Sequence, residues 1–293
     1  MKIGAFQLNK RLPELNEPHV FAMLKPWIDA GSVGELTLGW LETRFKAKEL
    51  AYLARPGDFF DFTRYRPSVY SKNGQRQMAI PNAYITWSRQ KTGNDFIFMH
   101  LMEPHSHGEV FVDSILELME KLKVKRYCLL GSMYDLVPHT RPLAVSGSAY
   151  GKEAEHALKK IGIELSNYQG PGSICSLISI RGIEIGYEAM SLLVHLPQYT
   201  ELDEDYIGTV RLMEVLGLLY NFSPDESYIE KARQQQEQIN QAIEKNPQLR
   251  AIVEQLESHY EKHARKPKVE ETPRLSPEIE KFLIEMEKRF KNS

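Results

Sequence analysis

Hydrophobic and polar positions follow two different patterns over the first three quarters of the chain. Short apolar runs bounded by turn residues predict buried strands, and longer segments with apolar residues three or four positions apart predict helices. The predicted strands span 20–24, 49–54, 96–101, 127–130, 163–165 and 189–196. The predicted helices span 33–45, 110–122, 153–161 and 206–219. Segment 174–185 fits either state.

The segment from Pro67 to Arg89 departs from this alternation. Asn73-Gly74 lies between two β-rich runs, and this dipeptide is a strong signal for a two-residue hairpin turn. We expect a hairpin at this point, inserted between two of the predicted strands.

Strands separated by helices are typical of βαβ units, so the pattern predicts an α/β fold with a largely parallel sheet and helices on both faces. In such sheets, ligands bind beyond the carboxyl ends of the strands. The loops that follow strands are therefore where a site is expected.

The composition changes after Ser223. Two polar helices with apolar stripes are predicted at 228–246 and 249–263, and a last amphipathic helix runs from Ile279 to Phe290. Prolines and charges mark a linker at about 264–277. The sequence thus predicts a core domain at 1–222 and a helical extension at 223–293 that serves as a packing arm.

Overall charge and hydropathy exclude several classes of protein. The net charge of −2 argues against a dedicated nucleic-acid binder, which needs an excess of Lys and Arg on one face. No segment approaches the ~20 apolar residues that cross a bilayer. The start MKIGAFQLNK has no apolar signal stretch, and the lone cysteines Cys128 and Cys175 do not suggest a disulfide framework. A cytoplasmic protein that binds neither nucleic acid nor membrane is expected.

Known cofactor motifs are incomplete in this chain. The glycines of 147–153 are one residue short of a P-loop and end in Glu153, and Gly170-Pro171-Gly172 lacks the third glycine of a dinucleotide fingerprint. No cofactor is therefore predicted. His105 and His107, near His100, Glu103 and Glu109, are weak metal candidates; a solvated loop that caps the next helix is the alternative.

Polar residues at several strand ends form a candidate ligand site. Arg141 suits anion binding, His139 suits proton transfer, and the glycines near Ser173 allow close backbone approach. The turn containing Asp29, Gly31 and Ser32 either holds an anion on free amides or simply caps a helix, since Ser32-x-x-Glu35 has the capping-box form. The candidates for one shared cleft are Asp29, Gly31, Ser32, Glu103, His139, Arg141, Gly172, Ser173 and His195. Stiff turns without a ligand are the alternative, and no catalytic residue is assigned.

Six motifs follow one another along the chain: Trp27-Ile28-Asp29-Ala30-Gly31, Glu103-Pro104, Val137-Pro138-His139-Thr140-Arg141-Pro142, Gly170-Pro171-Gly172-Ser173, Gly186-Tyr187-Glu188-Ala189 and His195-Leu196-Pro197-Gln198-Tyr199. They occur in the order seen in the proteasome assembly chaperone (PAC-two) family, which the chain resembles over nearly its whole length. The run from Val137 to Pro142 and the helical tail resemble those of a bacterial branch with a helical C-terminal extension.

The resemblance implies a three-layer α/β/α sandwich similar to the nucleoside phosphorylase/hydrolase-like fold, self-association into a homo-oligomer, and a relationship to chaperones that assist proteasome assembly. The bacterial members have no agreed activity. We therefore expect a protein-interaction module with a small-ligand cleft and a protein partner, and lean against an enzyme. The alternatives are an ATP-dependent carboxylate–amine ligase, a nucleoside hydrolase or phosphorylase, and a scaffold that acts through its tail helices.

Overall fold

The structure is a computed structural model that describes residues 1–264 of the 293. The predicted linker, apart from its first residue, and the last amphipathic helix lie outside the described residues.

The strands and helices follow the sequence pattern closely. The strands are β1 Lys2–Ile3, β2 Phe6–Leu8, β3 His19–Lys25, β4 Lys48–Leu53, β5 Ser68–Lys72, β6 Gln75–Ala79, β7 Tyr84–Ser88, β8 Phe96–Met102, β9 Arg126–Asp135, β10 Val145–Tyr150, β11 Glu164–Leu165 and β12 Glu188–Pro197. The helices are α1 Val33–Arg44, α2 Gly108–Lys121, α3 Lys152–Lys160, α4 Ile174–Glu184, α5 Tyr206–Tyr220, α6 Glu226–Glu244 and α7 Pro247–Ala264. The ambiguous segment 174–185 is therefore helical.

Ten of these strands form one sheet in the order β1-β2-β4-β7-β8-β3-β9-β12-β10-β11. Its four central strands, β8, β3, β9 and β12, run parallel to one another. The neighbouring pairs β1–β2, β2–β4, β4–β7, β7–β8 and β10–β12 are antiparallel, whereas β10 and β11 are parallel. The prediction of a largely parallel sheet is therefore wrong, and the sheet is mixed. The reason is that no crossover helix joins β4 to β7 or β7 to β8, and a parallel pair needs such a crossover.

Helices cover both faces of the sheet. On one face, here called the α1 face, buried residues of α1, α3 and α5 such as Leu41, Leu158 and Leu216 pack on the strands. On the other, the α4 face, α2 and α4 contribute Phe111 and Ile178 to a second cluster. Each large apolar side chain buried in this way contributes about 1.5–3 kcal/mol to folding.

The extension helices form a third, smaller cluster against the core. The apolar stripes of α6 and α7 provide Ile239, Ile252 and Leu256, which are buried with Tyr199 from the loop after β12. The helices lie where the tail pattern predicts two helices. This cluster fixes them beside the strand ends.

The hairpin predicted at Asn73-Gly74 is present as a separate two-stranded sheet of β5 and β6. Asn73 and Gly74 have φ angles of 53° and 76°, which only the turn residues Asn and Gly adopt readily. Every residue from Ser68 to Ile80 is exposed.

Within residues 1–264, no helix combines the length and the apolar character needed to span a membrane.

Candidate functional site

The carboxyl ends of the four parallel strands lie along one edge of the sheet. Lys25 pairs with Met102 and Asp135 with Pro197, so β3 and β8, and likewise β9 and β12, end level with each other. An isolated bridge between Asp29 and Ser132 joins the two pairs. We call the loops that follow these strands, residues 26–32, 103–107, 136–144 and 198–205, the rim.

Asp29 stabilises the start of α1 from the rim. Its Oδ1 accepts a hydrogen bond of 2.7 Å from the backbone N–H of Gly34, whereas the side chain of Ser32 makes no capping bond. The capping box predicted at Ser32 is therefore wrong, because Asp29 takes its place. Burial raises the pKa of Asp29 to about 6, and its Oδ2 is buried without a hydrogen-bond partner.

Gly31 holds two rim loops together. Its φ of 57° is left-handed, and its carbonyl accepts a 2.8 Å bond from the N–H of Asp205. A Cβ on Gly31 would lie 2.7 Å from the Cβ of Asp205, so only glycine fits. The Asp205 carboxylate caps α5 through the N–H of Gly208 at 2.7 Å, and burial raises its pKa.

His139 is buried beneath α6. Its backbone N–H donates to the hydroxyl of Tyr199 at 2.7 Å, and its Nδ1 lies 2.6 Å from the same oxygen. Its Nε2 lies 3.0 Å from Oδ1 of Asn240 on α6. Because Asn240 Oδ1 accepts and the Tyr199 hydroxyl donates to Nδ1, this pattern fits a neutral ring protonated on Nε2. Burial accordingly lowers the pKa of His139.

Arg141 binds carboxylates, as its residue type suggested, but the carboxylates belong to α7. Its guanidinium donates to Glu257 at 3.0 Å and to Glu261 at 2.7 Å. The hydroxyl of Thr140 donates to Glu257 at 2.5 Å. The loop after β9 therefore fastens both extension helices, α6 through His139 and α7 through Arg141.

Glu103, Gly172 and Ser173 lie on the α4 face. Ser173 caps α4 by accepting from the N–H of Cys175 at 3.2 Å, and Glu103 Oε1 accepts from the N–H of Ile174 at 3.4 Å. Burial raises the pKa of Glu103, and its Oε2 is buried without a hydrogen-bond partner. Burial also raises the pKa of Cys175 to about 12, which suppresses the thiolate that a nucleophile requires.

Eight of the nine predicted residues fall into two groups, and His195 lies apart from both. Asp29, Gly31, Ser32, His139 and Arg141 lie on the side of α1 and the extension helices, and Glu103, Gly172 and Ser173 lie by the start of α4. His139 and Arg141 contact the extension helices, whereas Ser173 and Glu103 bond to the first turn of α4. A rim cavity bordered by His139, Pro197 and Asp205 has a volume of about 10 Å³. That is about enough for a single water molecule.

His195 belongs to an arrangement that sequence reasoning missed. Leu192, Val194 and Leu196 of β12 lie on the α1 face of the sheet. Because side chains alternate along a strand, His195 points to the α4 face. Its Nδ1 lies 2.7 Å from Oδ2 of Asp135 and its Nε2 lies 2.8 Å from Oγ of Ser146. The three residues come from β9, β12 and β10, and only the observed strand order places them side by side.

The weak metal candidates do not converge. His105 accepts from the N–H of Asp61 and contacts the tilted ring of Tyr65 in an exposed loop, while His107 lies near Phe59. His100 points to the α1 face. Within residues 1–264 no group of three or more His, Cys, Asp or Glu side chains is arranged to hold a metal ion.

A groove of about 440 Å³ lies away from the rim, between α1 and strands β4 and β7. At its base Glu42 accepts from the Thr86 hydroxyl at 2.5 Å and lies 3.1 Å from His100 Nε2, while Tyr84 stacks on the His100 ring. Burial opposes ionisation of Glu42, but its bonds to His100 and Thr86 outweigh burial and lower its pKa. Local sequence patterns do not indicate this groove, because its lining residues are distributed over α1, β4 and β7.

The residues from Met23 to Lys245 match the PAC2 family. The chain belongs to the PAC2 family. This confirms the resemblance found in the motifs. No functionally curated protein matches the chain by sequence.

Solved structures agree with this assignment. A PAC2 family protein from Streptomyces avermitilis is 25% identical with a TM-score of 0.72, covering 80% of this chain and 99% of that one. A proteasome-assembly chaperone homologue from Mycobacterium tuberculosis is 22% identical with a TM-score of 0.71, covering 80% and 99%. An archaeal proteasome activator from Pyrococcus furiosus is 16% identical with a TM-score of 0.63, covering 83% and 99%. The last two likenesses concern the fold alone.

Proposed function

We propose that this PAC2 protein is a proteasome-assembly-chaperone-like interaction module that forms a homo-oligomer and binds a protein partner through its rim. Family membership supports the general reading, as do relatives described as an assembly chaperone homologue and a proteasome activator. The partner and any small ligand are parts of the proposal.

The observation that carries the proposal is what the side chains of Arg141 and His139 contact. These side chains, which sequence reasoning assigned to a ligand, are engaged with protein helices: Arg141 with two carboxylates of α7, and His139 with Asn240 of α6. The cavity beside His139 has room for about one water molecule. A surface with an arginine fork and an apolar cluster suits an acidic amphipathic helix, and α7 has this character.

Affinity capture of the full-length chain from its source cells tests the proposal. Wild type should retain a discrete, saturable protein partner, and Arg141→Ala should change the amount retained at least several-fold, because α7 then no longer competes normally for the rim. Lys10→Ala, a charge removal at an exposed position outside the rim, is the control and should have no effect. If neither a partner nor a second copy is retained at any concentration, the interaction function is wrong.

Hydrolysis is the second candidate, favoured by the arrangement of Ser146, His195 and Asp135. Unlike the interaction module, this function would make the chain an enzyme. In an ester, the Ser146 oxygen would attack the carbonyl carbon while His195 Nε2 takes the hydroxyl proton and passes it to the leaving alcohol. Water would then release the acid from the acyl-serine. Ser146 sits within a regular strand rather than on a sharp turn, so we rank this function second.

A fluorophosphonate ester distinguishes this candidate by intact-protein mass. A reactive Ser146 gains one phosphonyl group, and both Ser146→Ala and His195→Ala abolish the gain, while Ser148→Ala on the same strand does not. Equal labelling of all four proteins, or none in wild type, eliminates hydrolysis.

An ATP-dependent ligase and a nucleoside hydrolase or phosphorylase remain as alternative functions, each with its ligand bound at the rim. A thermal-shift screen of nucleotides, nucleosides and amino acids addresses them. A compound that raises the melting temperature of wild type but not of Arg141→Ala or His139→Ala would support them. A screen without any such compound would exclude them.

A further inference from the structure

The β5–β6 hairpin is an isolated ribbon with apolar side chains in solvent. Val69 and Met78 face each other across the two strands and are 62% and 59% exposed, and Ile80 beyond them is 50% exposed. Two-stranded hairpins are marginally stable in water without a packing partner. This ribbon therefore has a surface suited to docking.

The hairpin and the segment before it are strongly basic. Residues 63–81 contain Arg64, Arg66, Lys72 and Arg76 and no acidic residue. All four are exposed. A partner surface for this segment must combine acidic and apolar character.

The outer side of α4 supplies the apolar part of such a surface. Leu177, Ile180 and Ile183 recur at three-residue spacing and are 47%, 49% and 50% exposed. A helix whose sequence is apolar nearly all round is normally covered on every side. Here only its inner side, with Ile174 and Ile178, is buried.

The neighbouring helix α2 supplies the acidic part. Its solvent side carries Glu109, Asp113, Glu117 and Glu120, against a single basic residue, Lys121. An ion pair of 2.7 Å between Arg181 of α4 and Asp113 joins the two helices. We call the exposed sides of α2 and α4 together the acidic helix face.

We propose that the hairpin of one copy of this chain docks on the acidic helix face of a second copy. Val69, Met78 and Ile80 would cover the α4 stripe, and the basic residues would pair with the row on α2. The inference deepens the homo-oligomer part of the proposed function and rests on it. The complementarity of charge and apolar character between two surfaces of the same chain favours a second copy over another partner.

The proposed contact joins two different surfaces, which restricts the assemblies it can form. Reciprocal exchange of hairpins between two copies gives a dimer, whereas one-way docking gives a ring or an open filament. A stable interface needs roughly 20–30 residues on each side, so a hairpin alone is short. An assembly in which every copy both gives and receives a hairpin doubles the contact per chain.

A charge-swap experiment on the full-length chain tests the contact. One variant carries Lys72→Glu with Arg76→Glu, and the other carries Glu117→Lys with Glu120→Lys. By light scattering coupled to size exclusion, each variant alone should dissociate at a concentration about tenfold or more above that of wild type. An equimolar mixture of the two should recover a large part of the wild-type association. Lys10→Glu with Arg11→Glu makes the same charge change at exposed positions elsewhere and should leave the mass unchanged.

Three outcomes overturn the inference. Wild type could be monomeric at all concentrations, or the hairpin variant could assemble as well as wild type. The mixture could also fail to recover association although both variants are folded by circular dichroism. In the second and third cases the proposed interaction function stands, because partner capture through the rim is measured separately.

Discussion

The hydroxyl of Tyr199 holds His139, which in turn contacts α6 of the helical extension, and Tyr199→Phe removes that single oxygen. In the folded protein this oxygen accepts the backbone N–H of His139 at 2.7 Å and contacts His139 Nδ1 at 2.6 Å. Tyr199 and His139 are both buried. Phenylalanine keeps the ring in the apolar cluster with α6 and α7, so the change isolates the hydrogen bonds from packing.

The expected cost follows from the groups left without partners. A buried donor or acceptor without a partner costs about 1–3 kcal/mol. The loss of partners for both the N–H and Nδ1 of His139 therefore predicts about 2–6 kcal/mol. The effect should be concentrated in α6 and α7, because His139 also holds Asn240 of α6. A local loss of 2 kcal/mol corresponds to about a 30-fold loss of hydrogen-exchange protection.

Hydrogen exchange followed by mass spectrometry, together with urea unfolding, measures this effect. Peptides from α6 and α7 should lose protection while those from β3 and β8 lose much less. Tyr70→Phe, at an exposed hairpin position, should change stability by less than about 0.5 kcal/mol. If Tyr199→Phe and Tyr70→Phe behave alike in both assays, the loop after β9 does not fasten the extension helices as described.

Three further predictions concern protonation and backbone conformation. Burial lowers the pKa of His19 to about 4, so between pH 6.5 and 4 the unfolded chain binds a proton that the folded chain does not. This group should therefore reduce the free energy of unfolding by about 3 kcal/mol as the pH falls through that range, and His19→Gln should remove this slope from urea titrations. Asp29 acts in the opposite direction. Burial raises its pKa from 3.8 to about 6, so between these pH values the folded chain binds a proton that the unfolded chain does not. The contribution of Asp29 to the free energy of unfolding therefore decreases by about 3 kcal/mol as the pH rises from 3.8 to 6. Asp29→Asn, which keeps an acceptor for the cap, should be more stable than wild type at pH 8 and lose that advantage near pH 4; equal stability at both pH values would contradict the burial of this carboxylate. Gly31→Ala should destabilise the fold by about 2 kcal/mol or more, because Gly31 has a left-handed φ and lies close to Asp205. Gly39→Ala, in α1 with open space around it, should stabilise the fold by about 0.5–1 kcal/mol. Thermal melts of the two variants measure these opposite signs.

Local sequence signals predicted the elements well where the pattern was long or the turn chemistry strong. The periodicity through Val110 and Ile115 predicted α2, and Asn73-Gly74 predicted the hairpin. Strand β10 was missed because Val145–Tyr150 contains mostly small residues and has no apolar run. Strands β1 and β2 are too short to show a period.

The candidate site depended on tertiary placement, which local patterns do not specify. The motif at Val137 to Pro142 marks a loop fixed by two prolines, yet a sequence alone does not say whether Arg141 faces a ligand or the acids of α7. Asp135 and Ser146 carry no motif, and only the antiparallel register of β10 on β12 brings Ser146 to His195. The Ser–x–x–Glu pattern at Ser32 failed because Asp29 lies within reach of the same helix start.

The sheet ends in β1 at one side and β11 at the other, each only two residues long. Edge strands this short offer almost no unpaired backbone for another chain to extend, a common protection against aggregation. Among residues 1–264, β5 and β6 are longer and each has one unpaired side. Any tendency of this protein to form intermolecular strand pairs should therefore concentrate in that ribbon, where lysine and arginine near the turn oppose indiscriminate stacking.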